Sequence, residues 1–291
     1  MQQMQSMRWI GGVFLMPDMS EKEKSLSGTK PEGVGSGQKT VIRVRDLFKI
    51  YEVGTNRVYA LNGVSFDIHY GEFVAIVGTS GSGKSTLLNM LAGLEPPSKG
   101  VIEIAGKRID RMNERELVRF RRDHVGFIFQ SYNLLNTMNG EENVAMPLMF
   151  RGVPKEERLR EARKYMKLMN VLDQARHMPN QMSGGQQQRI GIARAMVVDP
   201  SIIFADEPTG NLDSHTTEDV LHLMQRLVRE QGKTLVMVTH DNHLASYADK
   251  RIRIVDGRIV NIEYGADEAL EEEQALLEMS GREVLTDGEG I

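Results

Sequence analysis

Three features are missing from this sequence of 291 residues. It has no cysteine, which excludes disulfide bonds, a thiol nucleophile and any zinc or iron–sulfur centre ligated by cysteine. No apolar run approaches the roughly 20 residues that cross a bilayer, so we expect no membrane-spanning segment. A strong charge of one sign is also missing, since the net charge is −4. With 40% hydrophobic and 26% charged residues, the composition is typical of a soluble globular protein with a sizeable core.

The small net charge hides an uneven distribution. Residues 262–291 contain ten Asp and Glu residues and one Arg, a net charge of −9, which leaves +5 for residues 1–261. That excess is too small and too scattered to indicate a nucleic-acid surface, so no nucleic-acid partner is expected. We expect residues 263–291 to form a solvated acidic tail, with a short partner-facing helix as the alternative. Residues 1–40, which become rich in Ser, Gly and Lys from position 25, are expected to be disordered.

Between these tails, strand-like runs alternate with helical patterns. Three apolar runs are typical of buried strands: residues 73–77, 201–205 and 234–238. Residues 84–91 have a helical pattern, and this alternation predicts an α/β fold with a mainly parallel core sheet. From about residue 112 to 182 the pattern is helical, which predicts a helical subdomain inserted into that core. Asp256-Gly257 between two short strand-like runs predicts a β-hairpin.

A glycine-rich loop follows the first of these strands. Residues 78–85, with the sequence GTSGSGKS, fit the phosphate-binding pattern G-x-x-x-x-G-K-[ST]. Its glycines allow backbone N–H groups to turn inward around a polyphosphate, and the following helix adds its positive dipole end. Lys84 is placed to contact the β- and γ-phosphates, and the Ser85 hydroxyl is placed to ligate Mg²⁺. The alternative is a tight strand-to-helix turn without a ligand, which the matching flanks disfavour.

Two further strands end in ionisable residues. Asp206 and Glu207 follow the apolar run 201–205, and His240 follows the run 234–238. Because parallel strands present their carboxyl ends at one edge of the sheet, these side chains are expected beside the phosphates. Asp206 would then hold Mg²⁺, Glu207 would polarise the attacking water, and His240 would contact the γ-phosphate. Alone, an Asp-Glu pair is a weak signal, and a lone His is more often a loop or core residue.

The sequence resembles the ABC-type ATPases over about residues 41–262. Residues 182–189, MSGGQQQR, look like the signature motif of that family, and they precede Asp206 as the family order requires. Residues 127–130 resemble its Q-loop, residues 211–213 resemble its D-loop, and His240 resembles its switch histidine. Tyr51 resembles the aromatic residue that stacks on adenine, although a lone Tyr is more often a packing residue. The resemblance implies a P-loop NTPase core with a mainly parallel sheet, an antiparallel β subdomain and an inserted helical subdomain.

The resemblance also implies a set of site residues. Glu207, His240 and Gln130 are the implied catalytic residues. The implied nucleotide-binding residues are Tyr51, Gly78, Thr79, Ser80, Gly81, Ser82, Gly83, Lys84, Ser85, Thr86, Ser183, Gly184, Gly185, Gln186 and Asp213. The implied ligands of Mg²⁺ are Ser85, Gln130 and Asp206, and the implied nucleotide is ATP.

The implied assembly is a head-to-tail dimer of two copies, or of this chain and a homologous subunit. Each ATP would lie between the phosphate loop of one subunit and the signature motif of the other. Residues 183–185 open a helix whose N–H donors and positive dipole end suit an anion. The nucleotide of the same chain is already held by its own phosphate loop, so a twofold-related second copy would supply that anion. The alternative is that Ser183 is only a helix cap and the glycines form a turn. A separate integral membrane permease would complete the complex, with this chain in the cytoplasm, peripheral on the inner face of the membrane.

Within the family, residues 179–186 and 205–213 resemble the branch that serves macrolide export and lipoprotein release. Three departures are visible. Met182 stands where Leu is usual, a mild volume-conserving change. Residues 136–140 lack a proline often found there, and both termini are longer than the branch needs. Methionines after the Q-loop, Met138, Met146 and Met149, suggest either core packing or a groove for a partner helix.

Three other functions compete with transport. A soluble ABC ATPase that acts on DNA or ribosomes would predict coiled-coil insertions or tandem nucleotide domains, which the sequence lacks. A single-domain P-loop kinase would lack the signature at residues 183–186. An envelope device that transmits force without moving a solute remains compatible with the sequence.

Overall fold

A computed structural model describes residues 9–10, 13–14, 39–54 and 56–265. The chain divides into two units, Met1–Gly37 and Gln38–Ile291. In the first unit, strands β1 (Trp9–Ile10) and β2 (Val13–Phe14) pair antiparallel. These four residues therefore have secondary structure where the sequence predicted disorder, while the rest of that prediction lies outside the described residues. The acidic tail from residue 266 also lies outside them.

The second unit contains ten strands and seven α-helices among its described residues. The strands are β3 (Thr40–Val53), β4 (Asn56–His69), β5 (Phe73–Val77), β6 (Lys99–Ile104), β7 (Lys107–Arg108), β8 (Val125–Ile128), β9 (Ile202–Asp206), β10 (Thr234–Thr239), β11 (Lys250–Val255) and β12 (Arg258–Tyr264). The helices are α1 (Lys84–Leu91), α2 (Glu114–His124), α3 (Gly140–Phe150), α4 (Lys155–Leu168), α5 (Gly184–Met196), α6 (Ser214–Gln231) and α7 (Asn242–Ala245). Short 3-10 turns lie at Ile109–Arg111, Leu172–Gln174 and Pro179–Gln181.

A six-stranded sheet forms the core, in the order β12-β11-β5-β10-β9-β8. All neighbours are parallel except β11 and β12, so the predicted α/β fold with a mainly parallel sheet is confirmed. Side chains of β5 alternate between its faces. Phe73, Ala75 and Val77 join the cluster packed under the helices, whereas Val74 and Ile76 join a second cluster on the opposite face. Both faces are buried, which explains why β5 is apolar at every position.

A second, antiparallel sheet has the order β4-β3-β6-β7. Its inward side chains, among them Ile42 and Ile104, share the second cluster with Leu87 and Leu91 of α1. This sheet is the antiparallel β subdomain that the resemblance implied. It packs against α1 and the face of the core sheet that carries Val74 and Ile76.

The inserted helices occupy less of the chain than the sequence predicted. Residues 112–182 are not helical throughout, because Val125–Ile128 forms β8, which pairs with β9 at the edge of the core sheet. The run Val125–Ile128 takes the strand conformation because it pairs with the free edge of β9. The preceding helix α2 packs Phe120 into the second cluster. Helices α3 and α4 form the insertion proper and contact α5.

The turn between β11 and β12 confirms the predicted hairpin. Asp256 and Gly257 have φ angles of 46° and 72°, which are both positive as a type I′ turn requires. The N–H of Gly257 donates to the carbonyl of Ser82 at 3.1 Å. The turn of this hairpin therefore contacts the glycine-rich loop at Ser82.

Candidate active site

The glycine-rich loop connects buried strand β5 to helix α1 as predicted. Gly83 caps the helix in the left-handed region, with φ of 100°, and no side chain bonds to the first-turn N–H groups. A Cβ on Gly83 would clash with the carbonyl oxygen of Ala60, and one on Gly78 would clash with that of Ile254. The neighbouring strands therefore demand glycine at both ends of the loop, and the uncapped helix leaves donors free for an anion.

Two side chains of this loop are held in a position to meet a phosphate. Lys84 is buried, and its Nζ donates to the carbonyl of Thr79 at 2.9 Å, across the loop. The Ser82 Oγ is also buried and has no hydrogen-bond partner among the described residues. A buried hydroxyl without a partner costs free energy, which a bound anion would recover. These observations fit a polyphosphate in the loop.

Ser85 and Asp206 meet at the carboxyl ends of the core strands. The Ser85 Oγ donates to Asp206 Oδ1 at 3.3 Å. Burial raises the pKa of the Asp206 carboxyl, and the neighbouring Glu207 carboxylate raises it further, while the Ser85 hydroxyl and Lys84 oppose these effects. A hydroxyl and a carboxylate are oxygen donors of the kind that Mg²⁺ prefers. The pair therefore fits the predicted metal site.

Glu207 and His240 form a second pair at the same edge. His240 Nδ1 lies 3.0 Å from Glu207 Oε1. The Glu207 N–H donates to the carbonyl of Val238, which ties the residue to strand β10, and its φ angle is 42°. A non-glycine residue in this left-handed region is strained, and such strain is concentrated at functional sites. The sequence predicted both residues here, and the structure brings them into contact.

Gln130, just after β8, packs against the loop that follows Glu207. A Cβ on Gly210 would lie 2.7 Å from Gln130 Nε2, and the Asn211 side chain donates to the Gln130 carbonyl at 3.0 Å. These contacts place Gln130 beside Gly210 and Asn211, three and four residues after Glu207. Its assignments as a catalytic residue and Mg²⁺ ligand stay predictions.

Tyr51 lies near the phosphate loop at the end of the long β3–β4 hairpin. Its hydroxyl donates to Glu95 at 2.9 Å, and Lys49 lies 5.2 Å from its ring centroid. Burial and the Glu95 carboxylate raise the pKa of Tyr51, while a hydrogen bond with Thr86 of α1 opposes the shift. Tyr51 and Thr86, both predicted to bind nucleotide, are thus neighbours.

The signature residues at the start of α5 cap their own helix, unlike the glycine-rich loop at the uncapped start of α1. The Ser183 Oγ accepts from the N–H of Gln186 at 3.3 Å, and Gln186 Oε1 accepts from the N–H of Ser183 at 2.9 Å. The two side chains thus form a capping box at the start of α5. Asp213 in turn caps α6 by accepting from the Thr216 N–H at 3.0 Å, and Gly185 packs against Thr216. Within one chain these residues act as helix caps, the alternative that the sequence left open.

Two buried polar side chains of α5 escaped the sequence reasoning. Gln188 donates to the carbonyl of Pro208, and Arg194 donates to the carbonyl of Tyr132 at 2.8 Å. Burial lowers the pKa of Arg194. Gln188 lies within the signature run 182–189, where it stands last of three glutamines. The sequence does not show which of the three is buried, because only tertiary packing distinguishes them.

Comparisons with known proteins agree with this geometry. A family model described as ABC transporter matches residues 61–210. An uncharacterized ABC transporter ATP-binding protein of Thermotoga maritima is 49% identical over 225 residues, which cover 77% of this chain and 96% of that protein. The macrolide export ATP-binding/permease protein MacB of Escherichia coli K12 is 42% identical over 76% of this chain, which spans 34% of that protein.

A solved structure shows the same architecture. It is an ATP-binding cassette described as a dimer in a post-hydrolysis state, bound to ADP and Pi. The TM-score is 0.72 at 41% sequence identity, and the match covers 77% of this chain and 98% of that chain. The fold predicted from the sequence is confirmed.

Proposed function

Since this chain belongs to the ABC transporter family of ATP-binding proteins, we propose that it is the ATP-hydrolysing subunit of a membrane complex of the macrolide-export or lipoprotein-release type. The observation that carries the proposal is the meeting of Lys84, the Ser85–Asp206 pair and the Glu207–His240 pair at one edge of three adjacent parallel strands. Such an edge is where open α/β sheets bind ligands.

Ser85 and Asp206 would hold Mg²⁺ there, with Gln130 as a third ligand. When bound, the ion would neutralise charge on the β- and γ-phosphates of ATP. The fit rests on the two oxygen donors 3.3 Å apart and on the half-buried Asp206 carboxyl, whose raised pKa a cation would oppose.

The protein residues then divide the hydrolysis between them. Lys84 and the N–H groups that open α1 hold the β- and γ-phosphates. Glu207 orients a water molecule and accepts its proton as the water oxygen attacks the γ-phosphorus, and the bond to the β-phosphate oxygen breaks to release ADP. His240, 3.0 Å from Glu207 Oε1, holds the carboxylate and contacts the γ-phosphate. The strained backbone of Glu207 fixes the direction of its carboxylate.

A second copy would complete each site. Ser183 is exposed at the start of α5, with the dipole end of that helix facing outward. In a head-to-tail dimer, the signature segments of one subunit would cover the ATP held by the other. Two solved structures of one related cassette are described as dimeric, which supports this arrangement. ATP would close the dimer, and hydrolysis would reopen it.

The membrane partner would dock between α3 and α4. Met138, Met146 and Met149 line a groove of about 240 Å³ there, together with Leu159 and Arg158. None of the three methionines belongs to the buried core, so the groove interpretation is favoured over core packing. Flexible thioether side chains suit an apolar partner helix. Within the described residues, no helix combines the length and the hydropathy of a membrane span. In the proposed complex, a separate permease chain crosses the membrane and this chain lies at its cytoplasmic face.

Affinity purification from gently solubilised membranes tests this function. We expect mass spectrometry to recover an integral membrane protein with an extracytoplasmic domain. Met149→Glu should abolish its recovery, whereas Leu172→Glu, at a residue equally exposed at 39% but outside the groove, should not. Recovery of only ribosomal or DNA-associated proteins would contradict the proposal.

A further inference from the structure

A buried amide joins helix α5 to the catalytic loop, the segment of residues 207–211 that begins at Glu207. The Gln188 side chain is fully buried, and its Nε2 donates to the carbonyl of Pro208 at 2.6 Å. The orientation of the amide follows from chemistry, since the carbonyl only accepts. Gln188 Oε1 is buried and has no partner among the described residues. Because the buried oxygen makes no hydrogen bond, the N–H donor is the part of this amide that contributes a polar contact.

The accepting carbonyl belongs to the turn that begins at Glu207. The N–H of Gly210 donates to the Glu207 carbonyl at 3.1 Å, which closes a four-residue turn with Pro208 at its second position. Pro208 is buried, so its carbonyl requires a donor from the protein. Without Gln188, the turn that fixes the strained backbone of Glu207 loses this anchor.

The same helix is tied to the Q-loop segment, which closes a ring of contacts. Arg194 donates to the Tyr132 carbonyl at 2.8 Å, and the Tyr132 hydroxyl donates to the Asn211 carbonyl at 3.3 Å. Asn211 lies directly after the turn and itself donates to Gln130. Helix α5, the Glu207 turn and the Q-loop segment are therefore linked in a closed hydrogen-bonded circuit.

We propose that Gln188 is a positioning residue that couples the signature end of α5 to the Glu207 carboxylate of the same chain. The proposal rests on the proposed dimer, in which Ser183 of one subunit contacts the nucleotide of the other. A displacement of α5 when Ser183 engages that nucleotide moves the Pro208 carbonyl, and with it Glu207. Gln188 thereby makes hydrolysis at one site depend on occupancy of the other.

Steady-state hydrolysis by the full-length chain tests the proposal. Gln188→Met keeps the length of the side chain and removes the donor. We expect kcat to fall by about 10- to 100-fold, the scale of a small misplacement of a catalytic group, while KM for ATP changes little and the Hill coefficient falls toward one. The matched control is Gln225→Met on α6, which removes a similar donor bond, to the Tyr247 carbonyl at 2.9 Å, a carbonyl that does not belong to the turn beginning at Glu207. It should leave kcat and the Hill coefficient unchanged.

A second variant separates the lost donor from lost packing, and keeps the test valid if Gln188→Met does not fold. Burial raises the pKa of a carboxyl, so Gln188→Glu should be protonated and donate to Pro208. We expect its kcat to exceed that of Gln188→Met and to approach wild type as the pH falls. Equal kcat and Hill coefficients in wild type and both variants would overturn the proposal. A wild-type chain without ATPase activity, or with a Hill coefficient of one, would instead overturn the proposed function and its dimer.

Discussion

The two glycine-rich helix starts of this protein use their first turns in opposite ways. At α1, Gly83 provides no side-chain cap, so the first N–H donors are open and Lys84 stands beside them. At α5, Ser183 and Gln186 satisfy each other's N–H groups in a capping box. The first-turn N–H groups of α1 have no side-chain cap and suit a bound anion. The start of α5 is capped within its own chain, and Ser183 is exposed there. Under the proposed function, the difference would let one chain hold a nucleotide with one loop and offer the other helix start to a partner.

The largest effect is expected at the catalytic carboxylate beside the first start. Glu207→Gln keeps the size of the side chain but removes the base, which general base catalysis makes worth about 10²- to 10⁴-fold in rate. Turnover measured by phosphate release should fall by that amount while ATP binding is retained. Substantial turnover in this variant would show that another group accepts the proton.

The open helix start itself is tested by Lys84→Ala. Hydrogen bonds to charged groups are worth about 1.5–3 kcal/mol, so ATP affinity should fall by about 10- to 100-fold in a nucleotide titration. The exposed Lys99→Ala on β6 serves as the control of equal charge. Equal affinity in the two variants would contradict the assignment of the phosphate loop.

The closed helix start is tested by Ser183→Asp. Asp caps helices as well as Ser does, so the melting temperature should change by no more than about 2 °C. A carboxylate there would repel the partner's nucleotide, so ATPase activity should fall several-fold. Asn113→Asp, in the matching capping box of α2, should change neither quantity. Full activity of Ser183→Asp would mean that this helix start serves as a cap only.

The smallest effect is expected at Met182, which precedes the closed start and is 7% exposed. Met182→Leu conserves volume, so the free energy of unfolding should change by less than about 1.5 kcal/mol. ATPase activity should stay within about twofold of wild type. Met182→Ala, which leaves a cavity at the same position, serves as the comparison in the same kinetic assay. A large loss from the leucine variant would show that the thioether has a specific role.

Much of the fold was predictable because its signals are local. Strand β5 and helix α1 follow from an apolar run and a glycine-rich turn. The hairpin follows from the pair Asp256-Gly257, residue types that accept the positive φ angles seen in the structure. Strand β8 was not predicted, because four residues at a sheet edge carry little periodicity and take their state from pairing with β9. The short β1–β2 pair escaped prediction for the same reason.

The site was predictable where motif and strand end coincide, as for Lys84, Asp206 and His240. Gln188 was not, because its role depends on burial against Pro208, a residue 20 positions away. Likewise, the sequence alone could not decide whether Ser183 caps its helix or contacts a nucleotide. In the structure it does the first, and the second requires a partner subunit.

Light scattering of Glu207→Gln with ATP and Mg²⁺ tests most directly whether two chains share their nucleotides. Since we expect this variant to bind ATP but to hydrolyse it slowly, the closed state should accumulate. The account predicts a species of twice the chain mass of 32.7 kDa with ATP, and a monomer with ADP or when Ser183→Asp is added. A monomer at saturating ATP would contradict the account, because the exposed start of α5 would then have no nucleotide to contact.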